Sequence, residues 1–208
     1  MSTTCRTTSR ASHSAQGEGR AQSAGSTAAT VAAVGTDEWS RPSPCAEWDA
    51  RDVVRHVVDM HHVMLRPYGR EPAAAPGVDD DPLAAFRAAR SEVEAILDDR
   101  EMATRRTESP AGTMAGADMV DQVASADLVI HRWDLARATG QDDAIDPEEL
   151  ERMWPAFQQI PDVMRVPGAF GPGITVFGPV VEVPADASLQ DRALGLVGRD
   201  PAWRADAR

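Results

Sequence analysis

The chain has 208 residues, a 42% hydrophobic share and a formal net charge of −12, which points to one ordinary domain with a sizeable core and an acidic surface. That charge, with a pI near 4.8, excludes a nucleic-acid backbone or an anionic membrane as partner, because both demand a basic surface. All 21 basic residues are arginine, so Schiff-base chemistry and a phosphate-loop lysine are excluded as well.

No run approaches the ~18 apolar residues of a membrane span. Cys5 and Cys45 are the only cysteines and neither stands in a CxxC pair, so the expectation is a reducing cytosol and no disulfide framework. No apolar segment near the N-terminus reads as a secretory signal. The protein is expected to be cytoplasmic, with small molecules or proteins as partners.

Residues 1–26 are dominated by Ser, Thr, Ala, Gly and Arg, with no bulky aliphatic residue between Met1 and Val31, and read as a disordered tail. The Arg and Ser bias is shared with organelle transit peptides, but an unstructured extension is the simpler reading. A first helix begins inside the tail, over 17–34. Trp39 and the run Arg41-Pro42-Ser43-Pro44 mark an extended link. Asp49 then serves as an N-cap, with Asp52 as an acidic form of the capping box, and opens a helix to Leu65 that Pro67 and Gly69 stop. Trp48, just ahead of the cap, fits a hydrophobic staple.

A loop over 71–80, rich in Pro, Gly and Asp, leads to Asp81-Pro82, which start a third helix to Asp98 with Leu83, Phe86, Ala89, Val93 and Leu97 in helical period. Residues 101–116 read as irregular, with a short strand over 105–108. A long fourth helix spans 117–139 and ends on Gly140 as a left-handed cap. Asp146-Pro147 open a fifth, to 160. Beyond it Gly and Pro crowd 161–178, residues 180–183 are extended, and a last helix runs from Ser188 to Val197 with Gly198 closing it. The chain has no internal repeat. The organisation expected is a tail over 1–26, a helix bundle over 27–162 and a C-terminal extension over 163–208.

Two of these helices carry ionisable side chains in the line of an apolar stripe. Val53, His56, Met60 and Val63 follow one another at spacings of three and four, as do Ala124, Asp127, His131 and Leu135. An unpaired carboxylate facing a core costs several kcal/mol, so a partner inside has to compensate it. Residues four apart lie ~6 Å from each other on one helix face, so Asp127 and His131 can share an ion and His56 can complete it from a neighbouring helix. Two imidazoles and a carboxylate suit zinc or another divalent transition metal, with positions left for water or substrate. From spacing alone a second reading stands beside this one: hydrogen-bonded core histidines, with Asp127 paired to Arg55 or Arg137. His61 and His62 are rotated off the stripe and are expected at the helix surface. Cys45 has acidic neighbours, Glu47 and Asp49, which raise a thiol's pKa, so it reads as a small buried packing residue rather than a nucleophile.

Three segments carry a resemblance. WSRPSPCAEWDARDVVRHVV from Trp39 and ADLVIHRWDLARATG from Ala126 closely resemble the family containing mycothiol-dependent maleylpyruvate isomerase, and FGPVVEVPADASLQDRALGLVGRDP looks like the tail of one actinobacterial branch of it. The resemblance implies an all-α fold, a DinB-like four-helix bundle with a short C-terminal extension, and a divalent metal held by His56, Asp127 and His131. The isomerase has a glutamate where this chain has Asp127, one methylene shorter, so the ion would sit closer to that helix or be bound through water. Asp134, one turn past His131, either orients that imidazole or acts as a base near the metal, or is a structural partner of an arginine such as Arg137. Trp133 reads as packing.

The resemblance leaves three functional classes. One is a metal-dependent enzyme in which a thiol, mycothiol by family resemblance, attacks an electrophilic substrate by isomerisation or S-transfer. The second is a non-catalytic metal-binding sensor or regulator, and the third a structural bundle without metal. A charged thiol conjugate calls for basic residues near the metal, and Arg55 and Arg132 adjoin ligands in sequence. A homodimer is compatible with these features.

Overall fold

The computed structural model describes residues 4–109, 112–169 and 175–205. Residues 1–3 of the tail and 170–174 of the Gly/Pro-rich stretch lie outside the described residues. Helix α1 spans Thr4–Ala32, so the backbone is helical over 4–26, where composition predicts a disordered tail. From Arg20 on, α1 docks through small and polar residues. Arg20 pairs with Asp121, Gln22 Nε2 donates to Asp146 Oδ2 (2.8 Å), the Ser23 hydroxyl donates to Glu149, and Ala24, Ala28 and Val31 pack on the core.

Helix α2 (Ala50–Leu65) opens on the capping box read from the sequence: Asp49 accepts the Asp52 N–H at 2.9 Å and Asp52 accepts the Asp49 N–H at 3.3 Å. Gly69, at φ 64, ends the short turn that follows it. Helix α3 (Pro82–Asp98) starts on the Asp81 cap, and α4 (Arg100–Thr104) on the Asp99 cap. The expected strand is present as β1 (Arg106–Ser109) and has an antiparallel partner, β2 (Gly112–Ala115), with Arg106 opposite Ala115. The long fourth helix is α5 (Gly116–Met119), one π-helical turn over Val120–Ala124 and α6 (Ser125–Thr139), closed by Gly140 at φ 70. Helices α7 (Pro147–Phe157) and α8 (Leu189–Leu196) begin at Asp146 and Ser188, both as side-chain caps.

Helix α1 packs on α3 and α6, and α2 packs on the same two, so the four close a ring in the order α1, α6, α2, α3. This is the DinB-like bundle, all-α apart from the hairpin. Its core is a cluster of Val53, Val54, Val57, Val58, Phe86, Leu128 and Leu135. A second cluster forms on the outer flank of α6, where Val129, Ile130 and Trp133 meet Ile145, Leu150, Met153 and Phe157 from around α7 and Leu194 and Val197 from around α8. Helix α6 is therefore covered on both sides, which explains why buried residues run all around it. Among the described residues no helix is long and apolar enough to cross a membrane.

The rotation of α2 departs from the stripe read in the sequence. Its core line is Val53, Val54, Val57, Val58, His61, Met64 and Leu65, while Val63 is exposed and His56 half-buried at the edge of the interface. His61 is consequently inside rather than at the surface, 1% exposed, its Nδ1–H donating to Val57 O at 2.7 Å with the ring edge-on to Phe86.

Candidate metal centre

His56 leaves α2, and Asp127 and His131 leave α6, at the level where these two helices pack. One ligand atom from each lies within 4.8 Å of the others. The spacing of four on α6 aligns Asp127 under His131, and His56 Nε2 and His131 Nε2 both converge on Asp127 Oδ1, at 3.3 and 3.4 Å. The side chains are 27%, 16% and 8% exposed for His56, Asp127 and His131, so the cluster opens to solvent on the α2 side.

Burial opposes ionisation of Asp127, but the His131 charge and hydrogen bonds from both imidazoles outweigh it and hold the carboxyl well below the usual carboxylate range. Burial likewise works against a charged His131, and Asp127 more than reverses this, raising that imidazole well above its ordinary value. Asp127 Oδ2 is buried with no hydrogen-bond partner. An orphaned carboxylate oxygen beside two converging nitrogens fits a divalent cation, and the mixed nitrogen and oxygen donor set is one that zinc and its neighbours accept.

The other face of His131 is fixed. Its Nδ1–H donates to Asp134 Oδ2 at 2.9 Å, which leaves Nε2 to face Asp127. Asp134 is fully buried; desolvation raises its carboxyl, yet the Arg199 guanidinium and the His131 bond bring it down to about 2. Arg199 donates from Nε to Asp134 Oδ1 (2.9 Å) and from Nη2 to Oδ2 (3.0 Å). The arginine partner of Asp134 is thus Arg199, while Arg137 pairs with Asp143 and lies over the Trp133 ring. Cys45 joins the same group: its thiol donates to Asp134 Oδ2 (3.1 Å) and accepts from Arg199 Nη2 (2.9 Å). Burial pushes the thiol pKa up and the Asp134 charge adds to this, so Cys45 stays a thiol.

Trp48, read in the sequence as a staple, packs against the core cluster and reaches the two imidazoles. A tight turn, with the Trp48 N–H donating to Cys45 O and Glu47 at φ 70, brings its ring to 4.8 Å from His56 and 5.9 Å from His131, as a cover over both imidazoles. The two arginines read as substrate contacts are not brought to this cluster. Arg55 forms a fork with Asp79 (3.0 and 3.2 Å) and lines a concavity of about 300 Å³, on another flank of α2, that His62, Val78 and Glu92 share and none of His56, Asp127 or His131 reaches. Arg132 donates to the carbonyls of Asp142 and Ala144 and holds the loop after α6. The sequence gives no sign of Arg199, because it lies 65 residues from Asp134 along the chain. The Cys45 and Trp48 contacts follow from a turn whose geometry their spacing alone does not specify.

The sequence matches the family described as mycothiol maleylpyruvate isomerase N-terminal domain over residues 20–136, a span that contains His56, Asp127, His131 and Asp134. Two uncharacterised proteins of Mycobacterium tuberculosis, from strains CDC 1551 / Oshkosh and ATCC 25618 / H37Rv, are each 33% identical to it over 142 residues, 68% of this chain and 77% of theirs. No solved structure matches it significantly.

Proposed function

The chain belongs to the mycothiol maleylpyruvate isomerase N-terminal domain family, and from that membership and the geometry at α2 and α6 we propose that it binds a divalent metal and acts as a thiol-dependent S-transferase or isomerase, with mycothiol as the thiol. The observation that carries this reading is the convergence of His56 Nε2 and His131 Nε2 on one oxygen of Asp127 while its other oxygen is buried without a partner. Zinc(2+) is the ion that best suits two imidazoles and a carboxylate in an open site.

A divalent cation bound there supplies a lowered thiol pKa, so that the thiol stands as a thiolate at neutral pH. The chain's own residues do the remaining work. His56 and His131 present Nε2, Asp127 contributes the negative charge, and Asp134 holds the His131 ring in the tautomer that leaves Nε2 free. Trp48 lies against both imidazoles and keeps water from that side. Because Arg55 is paired with Asp79 and Arg132 with loop carbonyls, neither serves a substrate carboxylate, which favours S-transfer to an electrophile over isomerisation of a dicarboxylate.

Elemental analysis of the purified protein is expected to give a divalent ion at an equimolar level, lost in His131→Ala and in Asp127→Asn. A screen across electrophiles and unsaturated acids that follows both mycothiol consumption, for S-transfer, and mycothiol-dependent substrate isomerisation, in which the thiol is regenerated, is expected to show turnover in the metal-loaded protein alone. An intact protein without metal would overturn the reading, and metal with neither thiol consumption nor mycothiol-dependent isomerisation would replace it with a sensor or regulator.

A further inference from the structure

Asp134 accepts hydrogen bonds from three different side chains and is closed to solvent. Oδ2 accepts from His131 Nδ1, the Cys45 thiol and Arg199 Nη2, and Oδ1 accepts from Arg199 Nε. A carboxylate fully buried and already neutralised by a guanidinium is out of reach of a substrate proton; it orients what touches it. The same atoms form a second cluster of metal-ligating groups, Cys45, His131 and Asp134, and the Arg199 guanidinium sits in it as the cation.

Arg199 reaches this place by a specific route. Gly198, at φ 79, turns the chain off the end of α8, and a Cβ there would lie 2.7 Å from Gly178 Cα, so only glycine lets the two backbones touch. The Arg199 N–H then donates to Leu194 O (2.9 Å). Arg165 locks the other side, donating to Gly178 O (2.8 Å) and Leu196 O (2.7 Å). A guanidinium so held meets both carboxylate oxygens in one plane, which an ammonium does not do.

We propose that Arg199 is a positioning residue of the metal centre: by clamping Asp134 it fixes the His131 ring, so the C-terminal segment, outside the family-matched region, is part of the metal site. This inference rests on the reading of His56, Asp127 and His131 as metal ligands. Its consequence is that metal affinity depends on a residue that touches no ligand of the ion.

The test is the zinc dissociation constant of the full chain, by competition with a chelator, together with the visible spectrum of the cobalt-loaded form. Arg199→Met is expected to weaken binding by roughly 10- to 100-fold and to alter the cobalt spectrum, with Arg199→Lys in between. Leu194→Ala removes a buried side chain of the same segment while keeping both the backbone carbonyl that accepts the Arg199 N–H and the bonds to Asp134; it should lower Tm yet keep affinity within about twofold. If Arg199→Met fails to fold, Arg199→Lys carries the comparison. Wild-type affinity in the Arg199 variants, or a Leu194→Ala affinity that falls in step with Tm, would overturn the proposal while leaving the metal reading intact. A wild-type protein that binds no metal would overturn both.

Discussion

His61 and His56 lie five residues apart on one helix and have opposite fates. His61 is buried among apolar groups with Nε2 unpartnered, and burial, with a smaller opposing effect from the Val57 carbonyl, drives its pKa from 6.5 down to about 4. The unfolded chain takes up that proton below 6.5 and the folded one does not until about 4. Stability from this residue is therefore complete above pH 6.5 and is lost as pH falls through the 6.5 to 4 window, by about 3 kcal/mol in all. Urea midpoints of metal-free His61→Leu should fall less steeply than wild type between pH 7 and 4, and parallel curves would refute this. Composition and spacing identify His56, Asp127 and His131 as a group because a period of three and four is visible in one dimension. Which side of α2 turns inward is not, since Val53, Val54, Val57 and Val58 allow two stripes about 100° apart, and the packing partners on α3 and α6 select between them.

Among the elements, capped helices are the legible ones. The aspartates at 49, 81 and 146 and Ser188 each begin a helix where the side chain predicts it, because a cap is a local interaction. The π-helical turn at Val120–Ala124 and the second hairpin strand are set by non-local fit. Gly116 shows how tight that fit is: a Cβ there would collide with the Met102 carbonyl oxygen and the Tyr68 hydroxyl. Gly116→Ala should cost roughly 1–3 kcal/mol, read as a lowered denaturant midpoint, because the backbone oxygen has nowhere to go. An unchanged midpoint would mean that the junction of β2 and α5 yields freely. Upstream of Asp127, the π-turn adds one residue to the helix without a break, so the face presented by Gly116–Met119 and that presented by α6 are set independently.

At the scale of the molecule, α6 is a shared wall. Its inner face completes the four-helix ring and its outer face is covered by α7 and α8, so one apolar cluster takes residues from both sides of position 162. A chain ending at Gln141 keeps all four bundle helices but uncovers Val129, Ile130 and Trp133. Such a chain is expected to bind an apolar dye and to self-associate on size exclusion; a dye-silent monomer would show that the bundle is self-sufficient. The all-α class is readable from helix periodicity, whereas the docking of α1 is not, because it relies on pairs such as Gln22 with Asp146, 124 residues apart.

The bond between Arg199 and Cys45 spans 154 residues. Contacts of such separation form late, since closing a long loop costs entropy before the contact repays it. During synthesis, His56, Asp127 and His131 are all in place once α6 has emerged, yet the Arg199 clamp on Asp134 arrives only after α8. A chain interrupted before α8 carries the three proposed ligands with Asp134 and the His131 ring unclamped, and is expected to release a bound ion to a chelator sooner than a chain that includes Arg199.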